Sequence, residues 1–182
     1  MMEMVINGVS TRKIRRVTEK LCGTSFSKSA VSDLCKALDP VVHEWNERDL
    51  SGKAYPFVIV DAMYIKIRKE GRVLSQGVLI AIAVNGEGYR EILGLKIGDS
   101  ESEATWSVFF TWLKGRGLRG VEMITSDNRG GLVRAIRRHF QGVSRQRCQT
   151  HFKRNIPDNC PKQLQGELKP KLKLLFIKQH PG

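Results

Sequence analysis

Apolar positions recur at helical spacing in the first quarter of the chain, then give way to strand-like runs, and return to helical spacing further on. Ser10 can cap a helix that carries Ile14, Val17 and Leu21 on one face, and Gly23 stops it. Ser27 can cap a second, with Val31, Leu34, Cys35 and Leu38 as its apolar face. Two short helices around a Gly-containing turn fit a helix-turn-helix between Asn7 and Asn46. In that reading Arg12, Lys13, Arg15, Arg16 and Lys20 contact phosphate, while Lys28, Ser29, Ser32 and Asp33 face a groove. A helical hairpin with a solvated basic face fits the same spacing equally well.

The segment 49–56, polar and holding Gly52 and Pro56, reads as a linker. Beyond it the period changes. Phe57 to Ile67 and Gln76 to Val84 are rich in Val, Ile and other strand formers, and Asn85-Gly86-Glu87-Gly88 is a turn signal before a third run, Tyr89 to Ile97. These runs predict an antiparallel three-stranded meander. Ser100 to Glu103 reads as a capping box for a helix whose Trp106, Phe109, Phe110 and Leu113 line one face, with Trp112 on the flank. Val121 to Ser126 is a fourth strand, expected to run parallel to an earlier one because a helix separates them. Leu132, Val133, Ile136 and Phe140 mark another helix.

The order β-β-β-α-β-α is that of the ribonuclease H-like fold, an α/β class with a mixed sheet. It makes a statement about two acids. Asp61 interrupts an apolar strand and Asp127 ends the fourth strand, so parallel neighbours would bring together carboxylates 66 positions apart in sequence. Adjacent carboxylates repel unless a cation lies between them. A pair of Mg²⁺ or Mn²⁺ ions held by hard oxygen ligands resolves the repulsion and supports phosphodiester chemistry. The competing assignments are an edge-strand acid for Asp61 and a helix N-cap for Asp127.

Composition and charge narrow the partner. The 182 residues hold 31 Lys and Arg against 18 Asp and Glu, a formal net charge of +13, which points to a polyanion. From Arg134 to Gly182 there are twelve basic residues against two acids, so the C-terminal quarter is the electropositive end. Arg145, Arg147, Lys153 and Arg154 are the candidates there for backbone contacts. Four cysteines, no signal peptide and no bilayer-length apolar run lead to the expectation of a reduced, cytoplasmic, nucleoid-associated protein with no membrane partner. Arg129-Gly130-Gly131 at a helix start is a weaker anion site.

Several spaced blocks resemble one family. They are Asn7 to Ile14, Val60 to Arg68, Gly98 to Trp106, Leu113 to Leu118, Ser126-Asp127 and Arg145 to Asn155, covering the chain from Asn7 to about Phe176. Together they resemble the Mutator-type transposases of bacterial insertion sequences, a class of the DDE transposases. The resemblance implies double-stranded DNA, at transposon ends and target, as the partner, with Asp61 and Asp127 as the first two catalytic, metal-binding acids. It places residues 1–48 in a DNA-binding segment, 57–147 in the catalytic core and 148–182 at the start of a helical insertion. Cys148 and His151 match the family's Cys-x2-His signature, whose role stays open. A closed zinc site needs four ligands and only these two are evident.

The third acid that the resemblance implies lies beyond a helical insertion, and the sequence has no match for it. Glu167 sits too early to replace it, and the segment from Ile177 to Gly182 departs from the family pattern, as a frameshift followed by an early stop would produce. The resulting expectations are DNA binding with little transposition, uncovered apolar surface, and a partner that is either a second copy or a full-length transposase. A DNA-binding regulator derived from a truncated transposase is one alternative. A nuclease in which Asp99, Glu101 or Glu103 joins Asp61 is another.

Overall fold

The computed structural model describes residues 3–4, 7, 9–23, 27–69, 71–98 and 100–177. They divide into two compact units, Met1–Arg48 and Asp49–Gly182.

In the first unit, α1 (Thr11–Cys22) begins after an extended Ser10 and ends at Gly23, whose φ of 64° suits a residue without a Cβ. Only Ile14 of the expected apolar face is buried; Leu21 is 78% exposed, and Thr18 takes the second inward position, one turn on, bonding back to the Ile14 carbonyl. The second helix, α2 (Lys28–Glu47), is capped by Ser27, whose hydroxyl accepts from the Ala30 amide at 3.1 Å. It continues well past Leu38 and through Pro40, so it is a 20-residue helix rather than a short one. Lys13, Arg15, Arg16 and Lys20 are exposed, with Arg15 paired to Glu19 at 3.0 Å. Arg12 and Lys28 lie on these helices with side chains outside the described residues.

The second unit is built on five strands: β1 (Phe57–Lys69), β2 (Arg72–Val84), β3 (Arg90–Gly98), β4 (Met123–Ser126) and β5 (Ser144–Arg147), in the spatial order β3-β2-β1-β4-β5. The first three form the expected antiparallel meander, and β4 runs parallel to β1. This is the ribonuclease H-like order. β5, parallel to β4, was not expected from the sequence: Ser-Arg-Gln-Arg has no apolar alternation, and its strand form comes from pairing with β4.

Alternation decides which face is covered. Val58 and Val60 of β1, Leu79, Ala81 and Ala83 of β2, Leu93 of β3 and Ile124 of β4 point to one side. There they meet Trp106, Phe109, Phe110 and Leu113 of α3 (Glu103–Gly115), and Leu132, Ala135 and Ile136 of α4 (Gly130–His139). Trp106 stacks on Phe110 with ring centroids 5.7 Å apart, and Phe140 meets Phe110 edge-on at 5.1 Å. Trp112 stays on the flank beneath the Arg116 guanidinium. The alternate positions of β1 leave Phe57, Met63 and Ile65 exposed.

Segment 49–56 is not a free linker. Leu50 and Tyr55 are buried in the core, and their amides donate to the carbonyls of Arg116 and Arg119. Two apolar anchors set among polar neighbours give no periodic signal, which is why composition alone misread them. Two helices close the described chain, α5 (Gln149–Asp158) and α6 (Lys162–Ile177). Among the described residues no helix is long and apolar enough to cross a membrane.

Candidate active site

Parallel pairing sets Phe57, Val58 and Ile59 against Met123, Ile124 and Thr125. Two residues further along each strand come Asp61 and Asp127, at the same end of the sheet. Each turns a carboxylate oxygen onto its own backbone neighbour: Asp61 accepts from the Ala62 amide at 2.9 Å, Asp127 from the Asn128 amide at 2.7 Å. Asp127 is not a helix cap, since α4 begins at Gly130 with Arg129 in the cap position. Asp61 is not on a sheet edge either, because β1 lies between β2 and β4.

A third carboxylate stands beside them. Glu101, just before α3, has a side chain only 9% exposed, and its Oε2 lies 3.0 Å from Nε of Arg129. The same Nε is 3.8 Å from Oδ2 of Asp127. The Tyr64 hydroxyl of β1 also bonds to Glu101. Burial pushes the Glu101 carboxyl above its ordinary range; the Arg129 charge and Tyr64 oppose this, and the charges of Asp61 and Asp127 add to it. Tyr64 is raised in turn by desolvation of its hydroxyl and by the Glu101 charge. Both Asp61 and Asp127 therefore act on Glu101 electrostatically.

Why Arg129 reaches Glu101 is a matter of glycine. A Cβ on Gly131 would stand 2.8 Å from the Glu101 carbonyl oxygen and 2.9 Å from the Glu103 nitrogen, so only glycine lets the start of α4 approach the start of α3 this closely. Ser102, rather than Ser100, caps α3, accepting from the Thr105 amide at 3.1 Å. The Glu103 carboxylate takes Arg134 at 2.7 Å instead of closing a capping box.

The Cys-x2-His block closes the site from the other side. The Cys148 amide donates to the Ser126 carbonyl at 2.8 Å, so α5 starts directly beneath the end of β4. One turn into α5, Nε2 of His151 lies 3.8 Å from Oδ1 of Asp61, with the imidazole mostly buried. Arg145, expected on phosphate, is turned inward: it donates to Asn128 Oδ1 at 3.1 Å and to Ser126 Oγ at 3.3 Å, bracing the loop that carries Asp127. Arg147 is half-buried with its guanidinium over the Phe152 ring, Lys153 is half-buried, and Arg154 is exposed.

Among the described residues, no three His, Cys, Asp or Glu side chains converge as a metal-ligand group. Cys148 and His151 thus find no further zinc ligands there, while Asp99 and His180 lie outside the described residues. Two carboxylates at one strand end do suit Mg²⁺ or Mn²⁺, which take one or two protein carboxylates and complete their shell with water and phosphate. Sequence reasoning missed Tyr64 and offered Glu101 only as one of three acids, with Asp99 and Glu103, that could join Asp61. The one available signal was that Glu101 is an acid with no apolar pattern of its own beside a strong helix start.

Similarity to known proteins gives the family. The profile of the family described as "Transposase, Mutator family" matches residues 1–180. The transposase for insertion sequence element IS256 in transposon Tn4001 of Staphylococcus aureus is 50% identical over 176 residues, 97% of this chain and 45% of that protein. That for ISRM5 of Rhizobium meliloti is 41% identical over 174 residues, 96% of this chain and 44% of the relative. The chain thus spans less than half the length of these relatives. Among solved structures, the Drosophila P element transposase strand transfer complex is a distant likeness, with a TM-score of 0.43 at 13% identity over 79% of this chain and 40% of that one. The HTLV-2 integrase catalytic core in complex with magnesium has a TM-score of 0.33 at 12% identity, over 69% and 85% of the two chains. With the family profile matching residues 1–180 of its 182, the chain belongs to the Mutator family of transposases.

Proposed function

We propose that this chain carries part of the DNA-cutting and joining centre of an insertion-sequence transposase, with Asp61 and Asp127 as its metal-binding carboxylates. The observation that carries the reading is the parallel β1–β4 pairing, which brings both acids to one end of the sheet, where both act on Glu101. A bound Mg²⁺ or Mn²⁺ would supply charge stabilisation and an activated oxygen nucleophile for phosphodiester chemistry. The chain's own residues hold the frame. Arg145 and the Cys148 amide fix the loop bearing Asp127, His151 flanks Asp61, and Arg129 balances the negative charge of Glu101 and Asp127. The net charge of +13 favours double-stranded DNA as the partner, held by a salt-dependent grip on phosphate. Residues 1–48 serve in this reading as a DNA-binding segment.

Calorimetric titration of the 182-residue chain with Mn²⁺ tests the site. Asp61→Asn and Asp127→Asn should each abolish measurable binding while leaving the melting temperature and duplex affinity close to the parent values. Parent-like Mn²⁺ binding by both variants would sink the assignment.

A second reading, occupancy of DNA without strand transfer, is favoured by Arg129, whose guanidinium engages two of the three neighbouring carboxylates. It predicts duplex binding by the purified chain with little Mg²⁺-dependent cleavage of insertion-sequence ends. Efficient cleavage would rule it out.

A further inference from the structure

The β1–β2 hairpin outruns the sheet that supports it. On one side, β1 pairs with β4 only through Ile59. On the other, β2 pairs with β3 only as far as Gly77. The hairpin register nevertheless continues unbroken from Tyr64↔Gly77 to Lys69↔Arg72. Residues 65–76 therefore form a two-stranded ribbon with no third strand on either edge among the described residues. It starts four residues beyond Asp61, and at about 3.3 Å per residue Lys66 and Arg68 stand roughly 17 and 23 Å along the strand from that carboxylate.

Its charge is not spent on folding. Lys66, Arg68 and Arg72 are exposed, and among the described residues no carboxylate forms an ion pair with any of them. Between Met63 and Gln76 the sequence carries four cations and one acid. The register also sets Lys69 directly across from Arg72 at the tip. A two-stranded ribbon is also a shape that the major groove of duplex DNA admits.

We propose that the free end of the β1–β2 ribbon is a DNA-contact surface of this chain, gripping duplex phosphate through Lys66 and Arg68, which share one face, and through Arg72 at the tip, a few base pairs from the Asp61–Asp127 end of the sheet. The proposal rests on the reading of the chain as a DNA-acting transposase and extends it to a surface distinct from the helical segment and from the C-terminal cluster. The ribbon acts as an arm that sets the direction in which a duplex leaves the carboxylates.

The test uses the full chain and a 30-base-pair duplex, with affinity followed by fluorescence anisotropy across a salt series. Replacing Lys66, Arg68 and Arg72 together by alanine should lower the slope of log affinity against log salt by about 2 to 3, and weaken binding near physiological salt roughly 100-fold. The charge-conserving set Lys66→Arg, Arg68→Lys and Arg72→Lys should retain the parent slope. In the unmodified chain, duplex DNA should protect Lys66 from amine acetylation read by mass spectrometry, a measurement independent of whether the triple variant folds. A folded triple variant with an unchanged slope, or an unprotected Lys66 in DNA-saturated chain, overturns the proposal. So does a variant that loses self-association while keeping its DNA affinity, which would make the ribbon a contact between copies. Failure of the unmodified chain to bind any duplex would instead strike at the functional reading beneath it.

Discussion

Arg129 Nε lies 3.0 Å from the Glu101 carboxylate, an ion pair in which the acid is nearly buried and the base half exposed. Removing the guanidinium leaves a carboxylate without its main counter-charge beside two others. Arg129→Gln should destabilise the chain by about 1–2 kcal/mol, the order expected for a charged hydrogen bond lost with one partner buried. It should also raise Mn²⁺ affinity several-fold, since a cation that shares Asp127 is gone. Calorimetry gives both numbers, and weaker Mn²⁺ binding would show that Arg129 aids the metal.

Two adjacent glycines at the start of α4 separate steric need from convenience. Gly131→Ala forces a methyl to within 3 Å of backbone at Glu101 and Glu103 and should cost about 1–3 kcal/mol. Gly130→Ala meets only the tip of the Arg134 side chain and should be neutral or stabilising by up to about 1 kcal/mol. Thermal melting of the two variants gives the comparison, and equal effects would remove the close-approach argument.

Arg145 gives a further contrast. Its bonds to Asn128 and Ser126 make it internal, so Arg145→Ala should lower stability by about 1–2 kcal/mol. Its effect on the salt slope of DNA binding should be smaller than that of Arg154→Ala, where an exposed phosphate contact would remove about 0.9 from the slope. A larger slope change for Arg145 would return it to the DNA surface.

Glu91 on β3 accepts from Lys53, Asn85 and the Tyr55 hydroxyl. Lys53 is the chief cause of its lowered pKa, with partial burial opposing and Asn85 and Tyr55 assisting. An acid held below its unfolded value of 4.5 adds stability above that pH and loses it as the pH falls through the native value. Urea melts of the parent chain and Glu91→Gln should differ by about 1 kcal/mol at pH 7 and converge on acidification below 4.5. A gap that stays constant down to pH 2 would contradict the linkage.

Strongly periodic elements were legible in the sequence: the meander, the α3 face of Trp106, Phe109, Phe110 and Leu113, and the strand ending at Ser126 just before Asp127. What pattern alone cannot carry is pairing imposed from elsewhere. β5 is a strand because β4 offers it an edge, and Leu50 and Tyr55 are core because the 116–119 loop holds their amides. The inward turn of Arg145 has the same origin. Its side chain looks like every other surface arginine until a tertiary neighbour, the Asn128 loop, gives it acceptors. Glu101 and Tyr64 meet across 37 positions of sequence, beyond the reach of any local period.

The parallel join between β1 and β4 also fixes an order of events in time. The meander draws on neighbouring stretches of chain, so its hairpins can close on a microsecond scale. Asp61 meets Asp127 only after a far longer loop has closed around α3, a non-local step that comes late. On the ribosome, residues 57–84 of the hairpin are made before Asp127, so the basic ribbon can close before the two carboxylates share one end of the sheet.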